Sequence, residues 1–302
     1  MTTAPEQPTP PRYAAPCVLG GAFVLLWCTG YPAGKIALGH AAPFTLLVLR
    51  FACACVLYSL LGLLGGAIWP RWRVARHSLA VGMLSLAMQF GGVYLGIALG
   101  ASAGIAALMI GTLPIATALL GRLIGESVRG TQWLGFALGF AGVALVVGDR
   151  MDGEQAGIGA YVALLVGLFG VSAGTLYQKR FGSAVDLRAG LALQHASATL
   201  LLLPFAWHEG FRFDATSTAF SALAWLVLVN SIGGFALLFL LLRRGAATAV
   251  AALFFLMPPV TAVMDYFVLG EHLSLPKLAG FALAVLGVYL GTRQAPPLRE
   301  MR

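Results

Sequence analysis

Three ionisable side chains fall inside long apolar runs: Lys35, Arg50 and Asp265. A charge in the hydrocarbon of a bilayer costs about 2.5–3.5 kcal/mol on insertion scales, so it faces a cavity, a pathway or a partner. Asp265 is the one acid set clearly within such a run. Its carboxylate has the chemistry of a proton-coupling site or of a contact for an ammonium group. The alternative is a structural ion pair with Lys35 or Arg50, because a buried charge needs compensation whatever its role.

A second group is polar but uncharged. Trp27, Gln89, Asn230, Ser231 and His195 fall near the middle of apolar runs and, with Tyr94 in the same run as Gln89, are candidate substrate-binding residues. The amides of Gln89 and Asn230 suit a carboxylate or an amine. They equally suit hydrogen bonds between helices, worth about 0.6 kcal/mol on average in membranes. Trp27 and Tyr94 offer ring faces for stacking or for packing. His195 has an ordinary titration range near neutrality, yet a lone histidine also serves as a plain interhelical contact. Thr29, Thr112, Ser172, Thr175 and Gln194 complete this polar set.

What is missing narrows the chemistry. The sequence has no His-Glu-x-x-His and no paired aspartates, and its five histidines are scattered. Cys17, Cys28, Cys53 and Cys55 lack metal-ligand spacing with a nearby histidine. No catalytic residue, metal or cofactor is expected, which argues against an intramembrane enzyme. No filter-like loop of the channel type is visible either. The basic patch Arg71-Trp72-Arg73-Val74-Ala75-Arg76-His77 stands in no nucleic-acid-binding module.

The elements that position these groups follow from composition. Of the 302 residues 59% are hydrophobic and only 10% are charged, against roughly 25% charged in soluble domains. The solvent for such a surface is lipid. A helix crosses the hydrocarbon with about 20 apolar residues, and ten such runs fit: 16–38, 43–64, 79–99, 101–123, 132–148, 157–179, 187–207, 219–242, 246–269 and 277–293. Residues 1–15 and 294–302 read as cytoplasmic tails, the first proline-rich and disordered; the long apolar run that follows is unlike a cleaved signal peptide. Sorting lysine and arginine over the loops puts fourteen on one side and three, Arg150, Arg212 and Lys277, on the other. The positive-inside rule then sets both termini in the cytoplasm.

The chain also matches itself at an offset of 145 residues. Ala101–Leu145 aligns without gaps on Ala246–Leu290, pairing Pro114 with Pro259 and Glu126 with Glu271. With one gap, Gly30 and Lys35 fall on Gly174 and Lys179. Each half holds five spans, an odd number, so the halves are expected to be inverted in the membrane. Inverted repeats mark secondary transporters, with a site near the midplane between them. Lys35 with Glu271 on the outer side, and Lys179 with Glu126 on the inner side, are then candidate alternating gates. The competing reading is that the glutamates cap short turns and the lysines snorkel. Pro114, Pro258 and Pro259 interrupt spans 4 and 9 at matching places, as a hinge or as fixed kinks.

These marks together resemble the drug/metabolite transporter superfamily in its EamA-type branch: Leu26-Trp27 followed by Lys35, Pro43 with Arg50-Phe51, and the two elements running from proline to Gly-Glu. The resemblance covers nearly the whole chain, with one repeat in 16–148 and the other in 157–293. It implies an all-α polytopic fold of ten helices in two inverted five-helix repeats, in a bacterial inner membrane, as monomer or homodimer. It further implies export of amino acids or other metabolites, with import or exchange of another small organic solute as the alternative. The sequence departs from the family in one respect: Thr112-Leu113-Pro114 and Met257-Pro258-Pro259 both lack the acid often found before that proline.

Overall fold

The computed structural model describes residues 14–123, 130–148, 156–181, 185–243, 256–270 and 273–292. Among these residues the chain is helical almost throughout and forms ten rods. Span 1 is two helices end to end, Ala14–Cys28 and Gly30–Leu38, parted at Thr29, whose hydroxyl bonds back to Leu26 O at 2.6 Å. Span 2 is Pro43–Leu64, span 5 Gly130–Gly148, span 6 Ile158–Phe181, span 7 Leu187–His208 and span 10 Leu275–Thr292. Span 4 is Ala103–Gly111 followed by Leu113–Leu123, and the described part of span 9 is Met257–Leu269. Among the described residues, six helices are long and apolar enough to cross a membrane by themselves, including 43–64, 187–208 and 217–238. Span 3 begins at Trp72 rather than at residue 79. Its first turns carry Arg73, Arg76 and His77, so hydropathy misses a helix that continues past the apolar core.

Local chemistry sets the ends. Pro43 opens span 2, where its missing N–H and fixed φ suit a first turn. Ser102, Asp186 and Thr216 each cap a helix N-terminus, accepting from the N–H of Ile105, Arg188 and Ala219. Gly270 closes span 9 at φ 67°, a conformation that glycine enters without a Cβ penalty.

Span 3, over 72–98, and span 8, over 217–243, share an irregularity. Each passes through a π-helical stretch, Met83–Met88 in one and Leu226–Gly234 in the other. The 145-residue offset lays the first of these onto residues inside the second. A π turn inserts an extra residue per turn and re-aims the side chains after it.

The packing shows the inversion directly. Spans 2 and 7 occupy the same place in their respective halves. Phe44 meets Phe205 (ring centroids 5.1 Å apart) and Phe51 meets His195 (5.6 Å), while Gly62 lies against Arg188. As one number rises the other falls, so the pair is antiparallel. Spans 4 and 9 run the same way, with Gly104 opposite Asp265 and Gly111 opposite Pro258. Spans 5 and 10 pair Gly142 with Gly280 and Ala284, and Gly287 with Gly135 and Gly139. Span 1 packs on span 8, and span 3 on span 6, which exchange places when the halves are swapped. This is an all-α polytopic membrane protein of two inverted five-helix repeats. Ala14 and Thr292 lie on one face of the bundle, the terminal face; the described turns after spans 1, 3 and 7 lie on the opposite face.

The two seams related by that exchange differ in kind. In spans 3 and 6 backbone meets backbone: a Cβ added at Gly92 would lie 2.6 Å from Gly167 N, and one at Gly170 would lie 2.8 Å from Leu84 O. Small residues permit this approach, and dispersion across it holds membrane helices together. Between spans 1 and 8 side chains intervene. Gly30 faces the Asn230 amide, and Gly234 faces the Trp27 ring.

Span 7 holds span 2 at both ends. On the opposite face the Glu209 carboxylate accepts from the N–H of Phe44 and of Thr45, both at 3.0 Å, and from the Thr45 hydroxyl at 3.3 Å. On the terminal face Arg188 donates to Gly65 O at 3.0 Å and to Leu61 O at 3.4 Å. An anion thus sits at the positive end of the span 2 dipole and a cation at its negative end. The adjoining loops pair as well: Ala42 N–H donates to Arg212 O at 3.0 Å and Asp214 N–H to His40 O at 2.7 Å.

Candidate functional site

Where the two halves meet, the helices leave a small cavity of about 30 Å³. Span 1 contributes Trp27, Gly30 and Tyr31, and span 2 contributes Arg50. Span 3 supplies Gln89, Phe90, Val93, Tyr94 and Ile97, and span 8 supplies Asn230 and Phe235. A volume above roughly 10–15 Å³ admits water, so the space takes solvent but not an organic solute until a wall moves.

Arg50 dominates it. The residue is seven positions past Pro43, about 10 Å along the helix, and only 3% exposed. Its Nε donates to Ser231 Oγ and its Nη1 to Tyr94 Oη, both at 3.0 Å. The guanidinium lies 4.6 Å from the Phe90 ring centroid, within cation–π range. Tyr58 steadies this arrangement from one side, its hydroxyl donating to Ser231 O at 2.6 Å. Adjacent residues of the π turn in span 8 therefore serve different neighbours: Ser231 faces span 2, and Asn230 faces span 1.

Asn230 is held by its Nδ2, which donates to Leu26 O at 2.7 Å and Trp27 O at 3.3 Å. Two carbonyl acceptors fix which end of the amide is nitrogen. Those carbonyls lie where span 1 breaks at Thr29. Trp225 reaches the same break, its indole N–H donating to Thr29 Oγ1 at 3.0 Å, deeper than an interfacial tryptophan would be. The other half repeats the contact with a smaller residue: Gly174, the repeat mate of Gly30, faces Ser85, the mate of Asn230.

The candidate residues thus separate into groups. Trp27, Gln89, Tyr94, Asn230 and Arg50 share one cavity wall, and Ser231 lies directly behind it. His195 is fully buried beside this group, among the rings of Phe51, Tyr58 and Phe235, with Nδ1 2.8 Å from Leu191 O. It does not line the cavity. Asp265 is 1% exposed and faces Gly104, at the seam of spans 4 and 9 and outside the cavity wall. Of the two partners considered for Asp265, Lys35 or Arg50, Arg50 is engaged elsewhere, its hydrogen bonds going to two neutral hydroxyls. Lys35 is half-buried near the opposite face. Glu126 and Glu271 lie outside the described residues, as does the side chain of Lys179, so the gate pairs do too.

The prolines fall where helices start. Pro114 is the second residue of Leu113–Leu123, just past the break at Thr112, whose hydroxyl bonds back to Met109 O at 2.6 Å. Pro258 and Pro259 occupy the first turn of Met257–Leu269. Gly111 and Pro258 touch: a Cβ on the glycine would lie 2.6 Å from Pro258 Cγ. The hydroxyls of Ser172 and Thr175 are spent within their own helix, on Leu168 O and Val171 O.

Sequence reasoning passed over Tyr31, Tyr58, Phe90, Val93, Ile97 and Phe235. Phe90, Val93, Tyr94 and Ile97 have the i, i+3, i+4, i+7 spacing of one helix face, which was the available signal. Tyr31 likewise follows Trp27 by one turn.

Inverted helical halves enclosing a cavity at their junction are the architecture of a multi-pass membrane transporter. The sequence comparisons agree. The profile of the EamA-like transporter family matches twice, over residues 15–148 and 158–293, and the chain belongs to that family. A protein named "Uncharacterized inner membrane transporter YedA" from Escherichia coli K12 is 28% identical over 268 residues, covering 88% of this chain and 86% of that one. A Salmonella typhimurium LT2 protein named "Probable amino-acid metabolite efflux pump" is 26% identical over 278 residues, covering 88% and 91%. A solved structure titled "Crystal structure of protein" superposes with a TM-score of 0.65 at 20% identity, covering 92% of this chain and 96% of that one, which speaks to the fold alone.

Proposed function

We propose that this chain is a secondary transporter that exports amino acids or related small metabolites by alternating access between its two halves. The observation that carries the reading is the cavity at the junction of antiparallel repeats, lined by residues of both halves and carrying Arg50, Gln89 and Asn230. An inverted pair of bundles has two related ways to close, one for each face. The name of the Salmonella relative supports the solute class and the direction. The excess of arginine and lysine on the terminal face supports cytoplasmic termini in a bacterial inner membrane. The test is counterflow in proteoliposomes of the purified full chain. Saturable exchange of labelled amino acid against the same amino acid inside is expected, with net flux responding to an imposed pH gradient. Fast, unsaturable ion current in place of exchange overturns the proposal.

A further inference from the structure

We infer that Arg50 is the anchor for a substrate carboxylate and that the Asn230 side-chain oxygen accepts from the substrate ammonium; the inference rests on the transporter reading above. Three observations lead there. Arg50 is a permanent cation, buried within a membrane-spanning helix, and its hydrogen-bond partners among the described residues are the neutral hydroxyls of Ser231 and Tyr94. No carboxylate among the described residues forms an ion pair with it. The Phe90 ring face offers partial compensation only. The cavity wall therefore carries a net positive charge, and an anionic group entering it gains a charge-assisted contact in a water-poor space.

The second observation is an unfilled acceptor. Asn230 spends its N–H donors on Leu26 O and Trp27 O, which leaves Oδ1 buried with no hydrogen-bond partner among the described residues. A buried acceptor left unmade carries a desolvation penalty with nothing to offset it. A donor supplied by the substrate removes that penalty, so the wall presents one place for an anion and another for an N–H group.

The third is asymmetry between the halves. At the one-gap offset that pairs Gly30 with Gly174, the repeat mate of Arg50 is Gln194; at the ungapped offset of 145 residues the mate of Asn230 is Ser85. Gln194 lines a separate cavity of about 280 Å³ at the terminal face, with His77, Gln178 and Asp186. A residue needed only to hold the pseudo-twofold bundle together would be expected in both copies. The cation is placed in one copy, the one that faces the central cavity. Apart from Gln89, Tyr31 and Tyr94, the rest of the cavity wall is apolar, Val93 and Ile97 with the rings of Trp27, Phe90 and Phe235, which suits an aliphatic or aromatic side chain.

The probes are L-leucine, L-leucinamide, which lacks the carboxylate, and 4-methylpentanoate, which lacks the ammonium. Binding is read as thermal stabilisation of the purified full chain, with counterflow of labelled leucine as a parallel measurement. Leucine is expected to bind at least tenfold more tightly than either analogue, the smallest effect of losing one charge-assisted contact. Arg50→Gln is expected to weaken leucine about 10- to 100-fold while leaving leucinamide unchanged. Asn230→Ala is expected to bring leucine to the level of 4-methylpentanoate. Arg50→Lys keeps the charge and loses the guanidinium fork, and retains part of the affinity. If Arg50→Gln fails to fold, the comparison of leucine with leucinamide on the native chain still decides. Equal binding of those two, or full leucine affinity in Arg50→Gln, overturns the inference. Saturable counterflow of a neutral or cationic solute by vesicles that ignore both carboxylates also overturns it, while leaving the transporter reading intact.

Discussion

Removing the Glu209 carboxylate should destabilise the whole bundle, although the residue lies at its edge. Its oxygens accept from two successive backbone N–H groups at the start of span 2, at 3.0 Å each, and from the Thr45 hydroxyl. Those N–H groups belong to the first helical turn and have no partner within the helix. Losing a helix cap costs roughly 1 kcal/mol, and the second N–H adds a similar amount. The charge at the positive end of the helix dipole contributes about 0.5 kcal/mol more. Glu209 is half-buried, so water recovers part of this in the variant. The net expectation for Glu209→Ala is a loss of about 1–2 kcal/mol. Glu209→Gln keeps an acceptor and gives up the charge, for about 0.5–1 kcal/mol. Reversible unfolding by sodium dodecyl sulfate in mixed micelles measures both. The order native, Gln, Ala must appear in the midpoints. Native-like stability of Glu209→Ala would mean that the cross-half cap is dispensable, and the reasoning fails.

Other expectations follow from the same contacts. Gly92→Val places atoms against the backbone of span 6 at Ala163 and Gly167; overpacking of this kind costs about 1–3 kcal/mol and should appear as reduced yield of folded protein on gel filtration. Tyr58→Phe removes the hydroxyl that holds Ser231 O, and should weaken leucine binding less than Arg50→Gln does, since it acts only through Ser231. Gly270→Ala strains a left-handed helix end and should lower stability by about 1 kcal/mol without altering solute selectivity. Hydrogen bonds from Arg188 hold the Asp186 carboxyl below its usual range. Its stabilisation is complete above the unfolded value and fades as pH falls through the lowered folded one; in Asp186→Asn the acid limb of the stability-versus-pH curve should flatten slightly.

The rods and their inversion were legible because lipid forces a hydropathy signal and the repeat preserves Pro114 with Pro259. The midplane polar residues were legible as a set, since a polar group in hydrocarbon is conspicuous. Their division was not. Nothing in composition marks the π turns of spans 3 and 8, and those turns aim Asn230 at span 1 and Ser231 at span 2. Asp265 and Arg50 carry opposite charges at similar depth, so the sequence allows them to pair; the seam of spans 4 and 9 takes Asp265 elsewhere. Glu209 read as one acid among several in an outer loop, because its cap on Phe44 and Thr45 depends on how span 7 lies along span 2.

The unequal seams give the molecule a stiff side and a yielding side. Where glycine brings the main chains of spans 3 and 6 together, sliding or parting would give up many close contacts at once. Spans 1 and 8 instead touch through an amide and an indole, groups able to change rotamer and re-form contacts one at a time. A solute larger than the present cavity is therefore expected to displace span 1 more readily than span 3. The bend such a displacement requires is expected at Thr29, where span 1 is already parted in two.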